Sequence, residues 1–400
     1  MRPDPRRWLV LAAYTVVVGV SQLLWLNFAP ILTQIQARYG VGELEASALV
    51  LVFPLLFVVL SVPAGRLVDT RGYRFCVGLG ATVMALGAAV RIDDDRFGFL
   101  LAGQVIIAVA QPFVVNGISK LVGDWFDPEQ GAIATGLGTM GMFLGMAVGI
   151  ATTAPLVSAY GLRGAMVVFA AITAAAALAF LAVARPNPAA PPQAKLATIT
   201  GDLAALLADR RLLLVFGMAF LGLGVFNGLT TWLEGILAPH GFDSEQAGTV
   251  GGVLIAGGIA GSVVIPLLSD RFRRRKPFLV GCIAAAVLAL HPLCTLGRFR
   301  LVVALGGLVG FLFLPAFALL LDMSAQLAGE ERAGSATGIL MLVGNAGGVV
   351  VPIAMAALKG DAPTFDRAIV LLVALLAAAL VLSFLVPETA RPARRSSQSM

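Results

Sequence analysis

The chain has 400 residues, of which 59% are hydrophobic and only 12% charged, with a formal net charge of +6. That balance excludes a water-soluble domain. The apolar runs are continuous rather than alternating, which excludes a β-barrel, because backbone groups in lipid must then be satisfied within helices.

The opening residues 1–7 are basic and lead into an apolar run from Trp8 to Pro30. This run is longer than a signal-peptide core and lacks a small-residue cleavage site, so it reads as a permanent span. A helix needs about 20 apolar residues to cross the bilayer. Spans are predicted at 8–33, 44–67, 73–91, 97–121, 130–156, 162–184, 211–237, 246–268, 277–295, 300–322, 333–357 and 367–386. The fold class expected is an all-α membrane protein of twelve transmembrane helices. The one long polar break, from Arg185 to Arg211, carries Pro186, Pro188, Pro191 and Pro192. It divides the chain into a six-helix bundle at 1–184, a linker at 185–210, a second six-helix bundle at 211–388 and a tail at 389–400.

Sorting the loops alternately with the N-terminus inside places 20 of the 28 Lys and Arg residues on the inner side. The positive-inside rule then puts both termini in the cytoplasm, in a cytoplasmic membrane. The basic run Arg271 to Lys276 is accounted for as an anchor of this kind, which leaves no case for nucleic acid. Cys76, Cys282 and Cys294 fall in or near apolar spans without metal-ligand spacing and read as buried small hydrophobes. His240 and His291 form no site by themselves.

The halves repeat. Residues 129–137 (EQGAIATGL) return at 331–339 (ERAGSATGI), an offset of 202, and Asp69 returns as Asp270. Such a repeat marks a transporter that binds between its halves and rocks them. The loop GRLVDTRGYR, Gly65 to Arg74, fits the G-x-x-x-D-x-x-G-x-[KR] pattern of the major facilitator superfamily, which the chain resembles. Gly65 would let helices approach, Asp69 would receive helix N-termini or a cation, and Gly72 would turn the chain. A conformational latch is therefore expected at Gly65, Asp69, Arg71, Gly72 and Arg74, with a second at Asp270 and Arg271. In that copy Pro266 stands where glycine is expected. Gly141, Gly145 and Gly149 lie on one face at four-residue spacing and predict close helix packing. The Gly-Pro antiporter motif of superfamily drug exporters is not matched, because Pro155 falls near the end of the fifth span.

Residues 23–30 (LLWLNFAP), 68–91, 103–126 and 226–237 (FNGLTTWLEGIL) resemble the feline leukaemia virus subgroup C receptor-related transporters and their bacterial relatives. That resemblance implies the major facilitator fold and transport of choline, ethanolamine or haem. It implies a substrate-binding set of Trp25, which would stack on a quaternary ammonium, Gln111, Asn227 where the family has tyrosine, and Asn345 where it has glutamine. Half of that cage is kept, which puts choline itself in doubt. The residues themselves place Gln111 and Asn345 near mid-depth and Trp25 and Asn227 further out. A polar group at such depth faces either a cavity or a neighbouring helix. As a cavity residue Trp25 is expected to matter more for binding than for folding.

The spans carrying Trp25, Gln111 and residues 300–321 hold no charge between Arg7 and Arg38, Arg96 and Lys120, or Arg300 and Asp322. No proton carrier is obvious there. Glu234 is the remaining possible coupling residue, and Asp322 reads as a helix end or salt-bridge partner. The expectation is a facilitative, alternating-access carrier of a small choline-like amine or other neutral or zwitterionic solute. A drug or organic-anion carrier, or a non-transporting receptor on this fold, is the alternative. No enzyme constellation, cofactor or metal is expected. The partners expected are a small-molecule substrate and the lipid bilayer, for a monomer.

Overall fold

The computed structural model describes residues 6–185, 206–272, 274–329 and 332–388; for Pro128, Glu129, Ala132 and Asp270 it describes the backbone alone. Most of the predicted linker, the tail and Arg273 lie outside the described residues, as does the side chain of Asp270. The helices are α1 (Arg6–Leu26), α2 (Leu32–Tyr39), α3 (Glu43–Arg71), α4 (Tyr73–Val90), α5 (Phe97–Val115), α6 (Gly117–Trp125) and α7 (Pro128–Val183). After the linker follow α8 (Arg210–Leu237), α9 (Ser244–Phe272), α10 (Lys276–Thr295), α11 (Phe299–Ala328), α12 (Ala333–Lys359) and α13 (Asp366–Leu385).

Among the described residues, eleven stretches are long and apolar enough to cross a membrane. The twelfth span is inside α7, which doubles back at Gly161 with φ 71° and ψ 171°. Only glycine occupies that backbone region readily, so one residue separates two spans without a polar loop. The first predicted span is revised: α1 stops at Leu26, and a 3-10 turn at Ala29–Ile31 leads into α2. Pro30 in this turn has no N–H to continue a helix. An Ala-Pro step does the same beyond α8, at Ala238–His240.

In each half the helices approach through small residues. A Cβ on Gly145 would collide with the Gly19 carbonyl, and one on Gly149 would lie 2.6 Å from the Leu23 carbonyl, which fixes α7 against α1. Gly257 and Gly261 do the same for α9 against α11, and Gly347 for α12 against α8. Without a hydrophobic drive between helices in lipid, this close contact is what packs them.

The helix directions set two faces. The near face carries the start of α1, the ends of α3 and α7, the start of α8 and the end of α13; the far face carries α2 and the ends of α8 and α12.

Candidate functional site

Pro54 has no N–H, so the Val50 carbonyl of α3 lacks its helical donor. The Trp25 indole N–H supplies one, at 3.1 Å. The same ring stacks on Phe53 at 6.3 Å between centroids, and Trp25 is 9% exposed. Trp25 is thus built into the α1–α3 contact. This corrects the expectation that it contributes little to folding: replacing a buried indole by alanine costs about 3–5 kcal/mol.

Gln111 of α5 is buried and makes no hydrogen bond among the described residues, so its amide is free. Asn227 of α8 is also buried; its Oδ1 has no partner and its Nδ2 rests where a Cβ on Gly348 of α12 would be. Asn345, one turn before Gly348, donates from Nδ2 to the Met341 carbonyl of its own helix at 2.8 Å. The four residues are divided between the halves. Trp25 and Gln111 lie in the first half, Asn227 and Asn345 on the facing helices α8 and α12 of the second, and among the described residues no hydrogen bond or ring contact joins the two sets.

The halves meet at the far face. Glu234, near the end of α8, accepts from the Thr33 backbone N–H at 2.9 Å through Oε2 and from the Ser244 hydroxyl at 2.8 Å through Oε1. Ser244 in turn accepts from Gln34 Nε2 at 2.9 Å. Glu43 of α3 pairs with Lys359 of α12, whose ammonium stands 5.2 Å over the Phe365 ring. Beneath these, Gly248 of α9 lies so close to α7 that a Cβ would be 2.8 Å from the Ile150 carbonyl.

At the near face the loop Gly65 to Arg74 makes no contact of this kind. Gly72 has φ 80° and turns the chain, its N–H bonded to the Val68 carbonyl at 2.9 Å. Asp69 is half-buried without a hydrogen bond or ion pair among the described residues. Arg71, Arg74 and Arg271 are exposed, and Arg71 lies 5.9 Å over the Phe75 ring. A Cβ on Gly65 would be 3.7 Å from Asn116 Nδ2, an ordinary contact, so a close approach is not what glycine provides there.

The Major Facilitator Superfamily profile matches residues 14–352 and, overlapping, 240–399. The chain belongs to the major facilitator superfamily. It is a multi-pass membrane transporter, not an enzyme, and its substrate is a small molecule. Within the superfamily it is similar to solute carrier family 49 member A3 of Xenopus tropicalis, 26% identical over 87% of this chain and 77% of that one. It is similar to the choline/ethanolamine transporter FLVCR1 of Felis catus, 24% identical over 89% of this chain and 68% of that one. Both similarities cover more than four fifths of this chain, in line with the resemblance to the subgroup C receptor-related transporters. A solved bacterial homologue of the human lysosomal transporter Spinster, inward-facing and unoccupied, has the same fold with a TM-score of 0.78. It covers 96% of this chain and 97% of its own at 17% identity.

Several polar residues of this transporter were not singled out from its sequence. Arg91 at the end of α4 is fully buried, 5.5 Å from the Phe28 ring, and donates from Nη1 to Gln104 Oε1 at 2.7 Å. Gln104 Nε2 donates to the Leu49 carbonyl at 2.6 Å and, at 3.3 Å, to Leu24 in the last turn of α1. Asn27 is fully buried with both amide atoms unpartnered. The sequence signal for Gln104 and Asn27 is an amide inside an apolar run, which carries no charge to mark it. Glu43 and Lys359 stand at span ends, where sequence gives no pairing.

Proposed function

We propose that the protein is a facilitative carrier that moves a small choline-like amine, or another neutral or zwitterionic organic solute, by alternating access. The observation that carries this reading is the asymmetry between the faces. Three polar contacts hold the halves together at the far face, while at the near face Asp69 has no hydrogen bond or ion pair among the described residues. Halves tied at one face, with Asp69 not latched at the other, are the arrangement an alternating-access carrier has when it is open to one side. The excess of Lys and Arg at the near face supports a cytoplasmic orientation for that side and for both termini, in a cytoplasmic membrane.

The substrate class rests on the neutral character of the candidate residues and on the similarity to FLVCR1. Gln111 offers an unspent amide, Asn227 an unspent carbonyl oxygen, and Trp25 an aromatic face. A ring face holds an ammonium by about 0.5–2 kcal/mol, so loss of the ring corresponds to about 2- to 30-fold in affinity. In proteoliposomes, labelled choline or ethanolamine should enter down its own gradient, and a pH gradient alone should drive no accumulation. Trp25→Phe, which keeps a ring, should transport better than Trp25→Ala, and Gln111→Leu should lower affinity without lowering the melting temperature. Uptake of drugs or organic anions in preference to amines would overturn the substrate class, and accumulation driven by the pH gradient would overturn the facilitative mechanism.

A further inference from the structure

A cavity of about 160 Å³ lies between the halves at the far face. It is lined by Glu43 from the first half and by Thr231, Trp232, Glu234, Lys359 and Phe365 from the second, apart from the proposed substrate residues. The lining holds two carboxyl groups and one ammonium, so it carries one excess negative charge when Glu234 is ionised. Lys359 neutralises Glu43. Glu234 is 4% exposed, and among the described residues its hydrogen-bond partners are neutral, the Thr33 N–H and the Ser244 hydroxyl among them. A carboxylate removed from water without a cation is unfavourable by several kcal/mol; a proton relieves it, and so does a cation held in the cavity beside it.

A second observation points the same way. Thr231 is 1% exposed, and its Oγ1 has no hydrogen-bond partner although the residue lines the cavity. An orphaned buried acceptor indicates a missing donor. The walls are aromatic, with the Trp232 and Phe365 rings 5.4 Å apart. The Lys359 ammonium, lodged between the Glu43 carboxylate and the Phe365 ring, is already an example of the chemistry this cavity accepts. We propose that the far-face cavity is a binding site for the primary ammonium group of a small organic amine, held by Glu234 and Thr231 beside the aromatic wall. A bare metal ion fits less well, since among the described residues no three His, Cys, Asp or Glu side chains converge to hold one. Because the site draws on both halves, occupancy stabilises the arrangement in which the far face is shut.

The chain's four tryptophans include Trp232 in this cavity and Trp25 in the proposed central site, so each site carries its own reporter. The full-length protein, labelled with 5-fluorotryptophan and held in a maltoside detergent, is titrated with ethylammonium chloride and followed by fluorine NMR. Resonances are assigned by Trp→Phe replacement. The expected result is a saturable shift of the Trp232 resonance, weakened at least tenfold in Glu234→Gln and about threefold in Thr231→Val. The Thr231→Val variant removes only an unpartnered hydroxyl and guards against a Glu234→Gln chain that fails to fold. No saturable shift at Trp232, an equal shift with sodium chloride, or parent-like affinity in both variants would overturn the proposal. The Trp25 resonance reads the central site separately, so either reading can fail while the other stands.

Discussion

Arg91 shows what a single buried charge demands. Its Nη1 is satisfied by Gln104, while Nε and Nη2 have no partner and the guanidinium is cut off from solvent. Removing one partner of a buried hydrogen bond leaves the other's donor unsatisfied, whereas replacing both sides with apolar groups is often neutral. Gln104→Leu should therefore destabilise the protein by about 1.5–3 kcal/mol. Arg91→Leu combined with Gln104→Leu should return to within about 1 kcal/mol of the parent, despite removing more hydrogen-bonding groups. Thermal unfolding in detergent reads the difference, and a double variant no more stable than Gln104→Leu would refute this account. At this scale the sequence was legible for residues whose role is local. Gly72 was read as a turn, and the three cysteines as buried, and both readings agree with the coordinates. Asp322 pairs with Arg275 as a helix-end ion pair. Trp25 was misjudged, because the carbonyl that its indole bonds is freed by Pro54, 29 positions away in another helix.

Helices were the most legible level, since hydropathy alone marks what can cross a membrane. The predicted spans 73–91, 211–237 and 277–295 coincide with α4, α8 and α10 to within a residue or so at each end. The glycine stripe on α7 was read as a close-packing face, but its partner α1 is tertiary information that periodicity does not contain. The same helix supplies a control. At Gly145 a Cβ meets the Gly19 backbone, which cannot yield, while at Gly136 nothing stands within 4 Å. Gly145→Ala should cost about 1–3 kcal/mol through overpacking. Gly136→Ala should be neutral or stabilise by about 0.4–1 kcal/mol, since alanine narrows the unfolded ensemble. Equal melting temperatures for the two variants would show that α1 and α7 are not held at the observed separation.

At the scale of the whole molecule, repetition gave the architecture, and the differences between the halves were hidden in it. The offset of 202 pairs Tyr73 with Arg275, and both fasten the same three helices of their halves at the near face. In the first half the Trp125 indole donates to the Tyr73 hydroxyl at 2.7 Å, which donates to the Arg185 carbonyl at 2.5 Å. In the second half Arg275 pairs with Asp322, and its backbone N–H donates to Glu388 at 2.7 Å. Each half is thereby stiffened within itself, so relative movement is concentrated where the halves touch. If the far face must open for turnover, a covalent tie across it should stop transport without unfolding the protein. Ile150 on α7 and Gly251 on α9 suit such a tie, because a Cβ on Gly251 would stand 3.8 Å from Ile150 Cβ, the typical disulfide separation. The native cysteines are all buried and should compete little for oxidation. Ile150→Cys with Gly251→Cys should oxidise readily, lose amine uptake in proteoliposomes and regain it on reduction. Each single cysteine variant should transport in both redox states. An oxidised double variant that transports at the rate of its reduced form would exclude opening of the far face as a step in the cycle.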